Sequence, residues 1–146
     1  MANRHEWQVS DKLKVDMRNK QEYILCKQVA TYLRLQYPKV MYHFDLAGLN
    51  LSKAQAGMMK SIQGGRGFPD LFIAEPKVME DHICHGLFLE IKKKGTKIRT
   101  RHGELVSDPH IREQYTMLQK LEAKGYMALF ACGFMEAKKF IDNYLG

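Results

Sequence analysis

An α/β fold, a mixed central sheet flanked by helices, is what this 146-residue sequence predicts. Three observations carry that expectation. Apolar runs suited to strands recur at 40–46, 68–74, 86–92 and 126–132. Segments with an apolar stripe at helical spacing lie around them. The two kinds alternate as helix, strand, helix, strand, strand, helix, strand, helix, an order that interleaves helices with one sheet instead of separating the two.

Taken in order, residues 1–18 mix both charges without clear period and read as a poorly specified arm, leaving 19–146 as a single domain. From about Asn19 to Tyr37 a helix is expected, stopped by Pro38, with Leu25, Val29, Tyr32 and Leu33 as its apolar stripe. "VMYHFDL" (40–46) reads as a short strand. A second helix runs from Ser52 to about Gln63, opened by an S-x-x-Q capping box of Ser52 and Gln55. "GGRG" (64–67) breaks regular structure. "FPDLFIA" (68–74) is a strand with Pro69 where proline is tolerated. The polar stretch "EPKVMEDHICHG" (75–86) then turns the chain back into "LFLEIKK", so the two strands should pair antiparallel.

Ser107 or Asp108 caps the next helix, Pro109 sits in its first turn and Gly125 ends it. Ile111, Leu118 and Leu121 form its inner stripe, and Gln114 points the same way. "YMALFAC" (126–132) is a buried strand. A last helix, Met135 to Leu145, packs Ala137, Phe140, Ile141 and Tyr144.

Composition bounds the partners. Hydrophobic residues make up 45% and charged residues 27%, the balance of a globular and not a disordered chain. Cys26, Cys84 and Cys132 are sparse and unpaired in sequence, and no basic-then-apolar leader opens the chain, so a cytoplasmic location is expected. The longest apolar run is far too short for a bilayer. A net charge of +7 and a pI near 9.3 favour a polyanionic partner. The excess concentrates in "KKKGTKIRTRH" (92–102), where Lys92, Lys93, Lys94, Lys97, Arg99 and Arg101 occur with no acidic residue. Such a segment suits phosphate contacts with a strong salt dependence, and it equally suits a solvated loop.

The chemistry concentrates in "GLFLEIKKK" (86–94). Strand alternation puts Leu87, Leu89 and Ile91 on one face and Phe88, Glu90 and Lys92 on the other. A buried charge costs several kcal/mol (roughly) unless paired, so Glu90 and Lys92 need a reason to interrupt an apolar strand. Antiparallel pairing brings Asp70 beside Glu90, and two carboxylates that close repel unless a cation lies between them. An all-oxygen donor set suits Mg²⁺ or Mn²⁺, which keep bound waters, one of which can attack a phosphodiester. Lys92 can then help deprotonate that water or offset charge on phosphate. Glu22, on the core-facing side of the first helix, and Gln114 complete the set. An isolated E-x-K is commonly an exposed strand pair, and the ordered company of Glu22, P-D and Gln114 argues against that here.

With these residues in place, "GRGFPDLFI … GLFLEIKKKGT … HIREQYTMLQKLEAKGYMALFACGFMEAKKFI" resembles the VRR-NUC (virus-type replication–repair nuclease) domain, of the PD-(D/E)XK superfamily, in its compact stand-alone phage and bacterial form. The resemblance runs from about Glu22 to Leu145. It implies a restriction-endonuclease-like core and a Mg²⁺- or Mn²⁺-dependent DNA endonuclease. Asp70, Glu90 and the Ile91 carbonyl would hold the ion, with Glu22 acting through water and Lys92 and Gln114 completing the catalytic set. It further implies structured DNA such as four-way (Holliday) junctions as substrate, a homodimer and, if the gene is a phage's, a bacterial host cytoplasm. Arg66, Lys93, Lys94, Lys97, Arg99 and Arg101 are the expected DNA contacts. The alternative is a non-catalytic DNA-binding protein on the same fold. "DHICH" (81–85) matches no zinc spacing. Met58 and Met59 read as packing, and Asp45 as an acidic neighbour of the site or a turn residue.

Overall fold

The computed structural model describes residues 4–45 and 51–146, with side chains described from residue 20 onward. Among these residues the chain forms α1 (Arg4–Gln36), β1 (Tyr42–Phe44), α2 (Lys53–Ile62), β2 (Leu71–Ile73), β3 (Lys77–Val78), β4 (Ile83–Cys84), β5 (Leu87–Lys92), α3 (Pro109–Ala123), β6 (Met127–Cys132) and α4 (Phe134–Leu145).

The main sheet has the order β1-β2-β5-β6. β1 pairs with β2 and β2 with β5 antiparallel, whereas β5 and β6 run parallel. The parallel pair needs a crossover, and α3 supplies it. The sheet is therefore mixed and flanked by helices, as the sequence predicts. Each face has its own packing. Leu87, Leu89 and Ile91 join Leu71 and Ile73 against Leu25, Val29 and Leu33 of α1 and Ala137, Ile141 and Tyr144 of α4. Phe88 and Ala128 turn the opposite way and pack under Leu118 and Leu121 of α3. No described helix is long and apolar enough to cross a membrane.

Two elements differ from expectation. α1 begins at Arg4, so much of the stretch assigned to a poorly specified arm belongs to the helix instead of preceding residue 19. The apolar period is weak there, but Arg4–Gln36 contains no glycine or proline, and nothing in it stops a helix extending backwards from a packed segment. The 75–86 stretch is more than a turn region. It forms the small β3–β4 ribbon, pairing Lys77 with Cys84 and Val78 with Ile83. Leu46, included in the first expected strand, lies outside the described residues.

The end signals hold in detail. Ser52 and Gln55 make both halves of the capping box. Asp108 caps α3, its Oδ1 accepting from the amides of His110 and Ile111. Gly125 follows α3 at φ +93°, with His85 so close that a side chain there would collide.

Candidate metal and phosphodiester site

β2 and β5 build the centre of the site between them. The register Leu71↔Leu89 and Phe72↔Phe88 places Asp70, one residue before β2, opposite Glu90 on the face shared with Phe72 and Phe88. β2 has ended there, so its backbone no longer serves the edge of β5. The Asp70 carboxylate takes over, its Oδ2 accepting from the Ile91 amide at 2.8 Å. A strand residue presents its N–H and C=O to the same edge, so the Ile91 carbonyl faces the space that β2 vacates.

Glu90 is 3% exposed, Lys92 6% and Gln114 6%, and these three are the buried polar side chains among the described residues. Gln114, one turn beyond the capped start of α3, donates from Nε2 to Glu90 Oε1 at 2.8 Å. Lys92 Nζ lies 3.7 Å from the same oxygen. Glu90 Oε2 and Gln114 Oε1 are buried with no protein partner. Glu22 arrives from α1, across the end of the sheet. It joins Asp70, Glu90, Lys92 and Gln114 in lining one cleft of about 520 Å³. All five side chains singled out in the sequence thus meet in one place.

The electrostatics are those of an unbalanced site. Burial pushes the Asp70 carboxyl up, against the Ile91 amide that favours its ionised form, and Glu22 adds to the rise. Glu90 is driven well above the ordinary carboxylate range, first by burial and then by the charge of Asp70. The neighbouring Cys26 thiol is pushed up to about 12 by burial and by Asp70, Glu22 and Glu90, which keeps it protonated. A divalent cation would offset this imbalance. The donor set fits one: the Asp70 carboxylate, the orphaned oxygen of the Glu90 carboxylate and the Ile91 carbonyl. Among the described residues no group of three or more His, Cys, Asp or Glu side chains is arranged to hold a metal by itself. Mg²⁺ and Mn²⁺ are the ions that accept few protein oxygens and retain water.

The basic residues are divided by the fold. Lys93 and Lys97 line the cleft; Arg66, Lys94, Arg99 and Arg101 do not. Segment 92–106 is a folded ribbon, bridged at Arg99↔Leu105 and tied to α3 by Arg112, which donates to the carbonyls of Val106 and Leu105. Arg99 is occupied within it, donating to the Gly103 carbonyl and lying over the Tyr115 ring at 5.6 Å. Lys94 packs on Gly133. At Gly67, φ is +77° and a Cβ would sit 3.2 Å from the Glu113 carbonyl, so this glycine serves a close approach to α3. The "DHICH" side chains diverge: Cys84 is buried and donates to the Gly86 carbonyl, while exposed His82 pairs with Asp81.

Sequence reasoning missed His110. It lines the cleft, and its Nε2 lies 3.3 Å from Gln114 Nε2, positioned to accept the amide's second hydrogen. Its place four residues before Gln114, on the same side of a helix, is the signal that could have found it. Asp45 also lines the cleft, together with Gln63, Thr96 and Asp108.

A solved structure of a VRR_NUC domain protein matches this chain with a TM-score of 0.61 and 23% identity, over 86% of this chain and 88% of that one. This chain has the VRR_NUC fold. No family model matches the sequence, and no curated protein does. The likeness covers most of both chains, so the resemblance seen in the short motifs extends to the fold that carries them.

Proposed function

We propose that this chain is a divalent-metal-dependent endonuclease that hydrolyses DNA phosphodiester bonds. The observation carrying the reading is the Asp70–Glu90 pair, a half-buried and a buried carboxylate both pushed upward, with a Glu90 oxygen left unpartnered. Asp70, Glu90 and the Ile91 carbonyl would hold Mg²⁺ or Mn²⁺, with Glu22 reaching it through water. The ion, when bound, supplies Lewis-acid stabilisation of phosphate charge and acidifies water.

The chain's own groups do the rest. Gln114 fixes Glu90 by donating to Oε1, so Oε2 stays directed away from that bond. Its own Oε1 is a buried acceptor that suits a water donating a proton. Lys92, anchored near Glu90, offers its ammonium to charge developing on phosphate. Lys93 and Lys97 hold the backbone of the incoming strand at the cleft wall.

One cleft cuts one strand per visit, so paired cuts across a four-way junction need two copies, most simply a homodimer with two-fold symmetry. That substrate and assembly rest on the resemblance to stand-alone VRR-NUC proteins. The test is cleavage of plasmid, linear and four-way DNA with and without Mg²⁺ or Mn²⁺. The reading expects metal-dependent cutting that disappears in Asp70→Ala and Lys92→Ala. Salt-sensitive binding without cutting would leave the alternative of a non-catalytic DNA-binding protein, and cutting untouched by both substitutions would overturn the assigned site.

A further inference from the structure

Beside the cleft lies a second concavity of about 370 Å³, lined by His43, Asp45, Met59, Gln63, Phe68, Pro69, Phe72 and Phe88. Asp45, Gln63 and Phe68 line both hollows, so the two adjoin. We propose that this second hollow receives an unpaired nucleobase of the strand whose phosphate lies in the cleft, with Phe68 as the stacking residue. The proposal rests on the nuclease reading and adds to it a preference for DNA that offers an unstacked base.

The floor suits such a ligand. Phe72 and Phe88 stack with ring centroids 4.5 Å apart at 19°, and Tyr126 closes edge-on against both. Phe68 also lines the hollow, in a T-shaped pair with Phe88 at 6.0 Å and 73°. It remains 45% exposed, although a phenylalanine in this position has an aromatic cluster next to it in which to bury. A ring nearly half exposed beside such a cluster offers surface on which a nucleobase can stack, and every base has a face to offer. Gln63 and His43 add polar groups to a hollow otherwise lined largely by Met59, Phe68, Pro69, Phe72 and Phe88, the mixture that reads a base edge after it leaves the stack. The outer wall is compliant as well. Met59 comes from α2, a helix that buries none of its residues, so a base can displace it without disturbing the core.

The occupant follows from position. Because the two hollows share walls, a phosphate in the cleft would bring the bases of its strand to the adjoining hollow. A fully paired duplex keeps that base stacked, whereas a flap, gap or branch point releases one at lower cost.

Photo-crosslinking tests this on the whole chain, with Ca²⁺ in place of Mg²⁺ to hold DNA uncut. Branched oligonucleotides would carry 5-iodouracil at an unpaired nucleotide beside the branch, against a fully paired control. The expected adduct maps to Phe68 or Phe88 on branched DNA. It falls by about tenfold in Phe68→Leu, in keeping with the loss of one stacked base, and persists in Phe68→Trp. Adducts confined to residues outside the hollow, or an equal yield in Phe68→Leu, would overturn the proposal. Cleavage of the same DNA by the wild type in Mg²⁺ separates the two readings. Cutting without a pocket adduct rejects the base site alone; a pocket adduct without cutting supports the base site and rejects the catalytic assignment.

Discussion

Two carboxylate clusters in this molecule sit in opposite electrostatic states. Asp142 on α4 accepts from the hydroxyls of Tyr32 and Tyr37 and pairs with Lys138 at 2.8 Å. Lys138 first, and then the two tyrosines, lower its pKa to about 2, and the Tyr37 hydroxyl is pushed up to about 12 by the same bond. Every oxygen there has its donor within the protein, and the cluster fastens α1 to α4. Asp70 and Glu90 are the reverse. They are more deeply buried, raised instead of lowered, and one of their oxygens has no donor. A carboxylate that serves the fold is satisfied by the fold. On the proposed function, the pair left dissatisfied in the cleft is the candidate for holding a cation.

The sharpest way to break this contrast is substitution at the dissatisfied pair. Asp70→Asn or Glu90→Gln should lower metal-dependent cleavage by about a thousandfold or more, the several kcal/mol that a catalytic ion supplies. Rates with Mg²⁺ and Mn²⁺ on branched DNA check it. Lys92→Met should cost about a hundredfold while leaving ion affinity nearly intact, because Lys92 stabilises charge without ligating.

Stability should respond with opposite sign at the two clusters. Asp70→Asn keeps the acceptor for the Ile91 amide and removes the repulsion with Glu90. Metal-free protein carrying it should melt higher than wild type at neutral pH, by roughly 2–4 °C for each kcal/mol relieved. Asp142→Ala or Tyr32→Phe should instead lower stability by about 1 kcal/mol per lost bond, with or without metal. Scanning calorimetry in EDTA and in Mg²⁺ reads both.

The pH dependences differ in the same way. Raised carboxylates favour the folded state below their unfolded values, near pH 4 (roughly), and that advantage is lost as pH rises through the raised folded values. Metal-free wild type should therefore lose stability relative to Asp70→Asn as pH rises above about 4. Asp142, being lowered, contributes above about pH 4, and its contribution fades as pH falls toward its folded value of about 2. Melting series from pH 3 to 8 on the two variants distinguish these slopes. The smallest effect belongs to the basic residues: Lys97→Ala should reduce the salt slope of DNA binding by about one, and Arg101→Ala by less.

Much of this site was legible because strand and helix periods are strict. Alternation along 86–92 separated Glu90 and Lys92 from Leu89 and Ile91, and helical spacing aimed Gln114 inward with Ile111 and Leu118. Antiparallel pairing set Asp70 against Glu90 once a hairpin was assumed. Arg99 was not legible, because its role depends on Tyr115 and on a bridge to Leu105 that no local pattern announces. The backward extension of α1 was hidden because its apolar period is weak, so the absence of breakers was its main sign. The hollow under Phe68 was invisible for a third reason: Phe72, Phe88 and Tyr126 read as ordinary core, and only their assembly leaves a gap beside the cleft.

Calorimetric titration of Mn²⁺ into wild type, Asp70→Asn and Asp142→Asn is the most direct test that the dissatisfied pair exists for a cation. Ion binding should be seen in wild type, persist in Asp142→Asn and vanish in Asp70→Asn. Equal binding in wild type and Asp70→Asn, or none in any of the three, would contradict it.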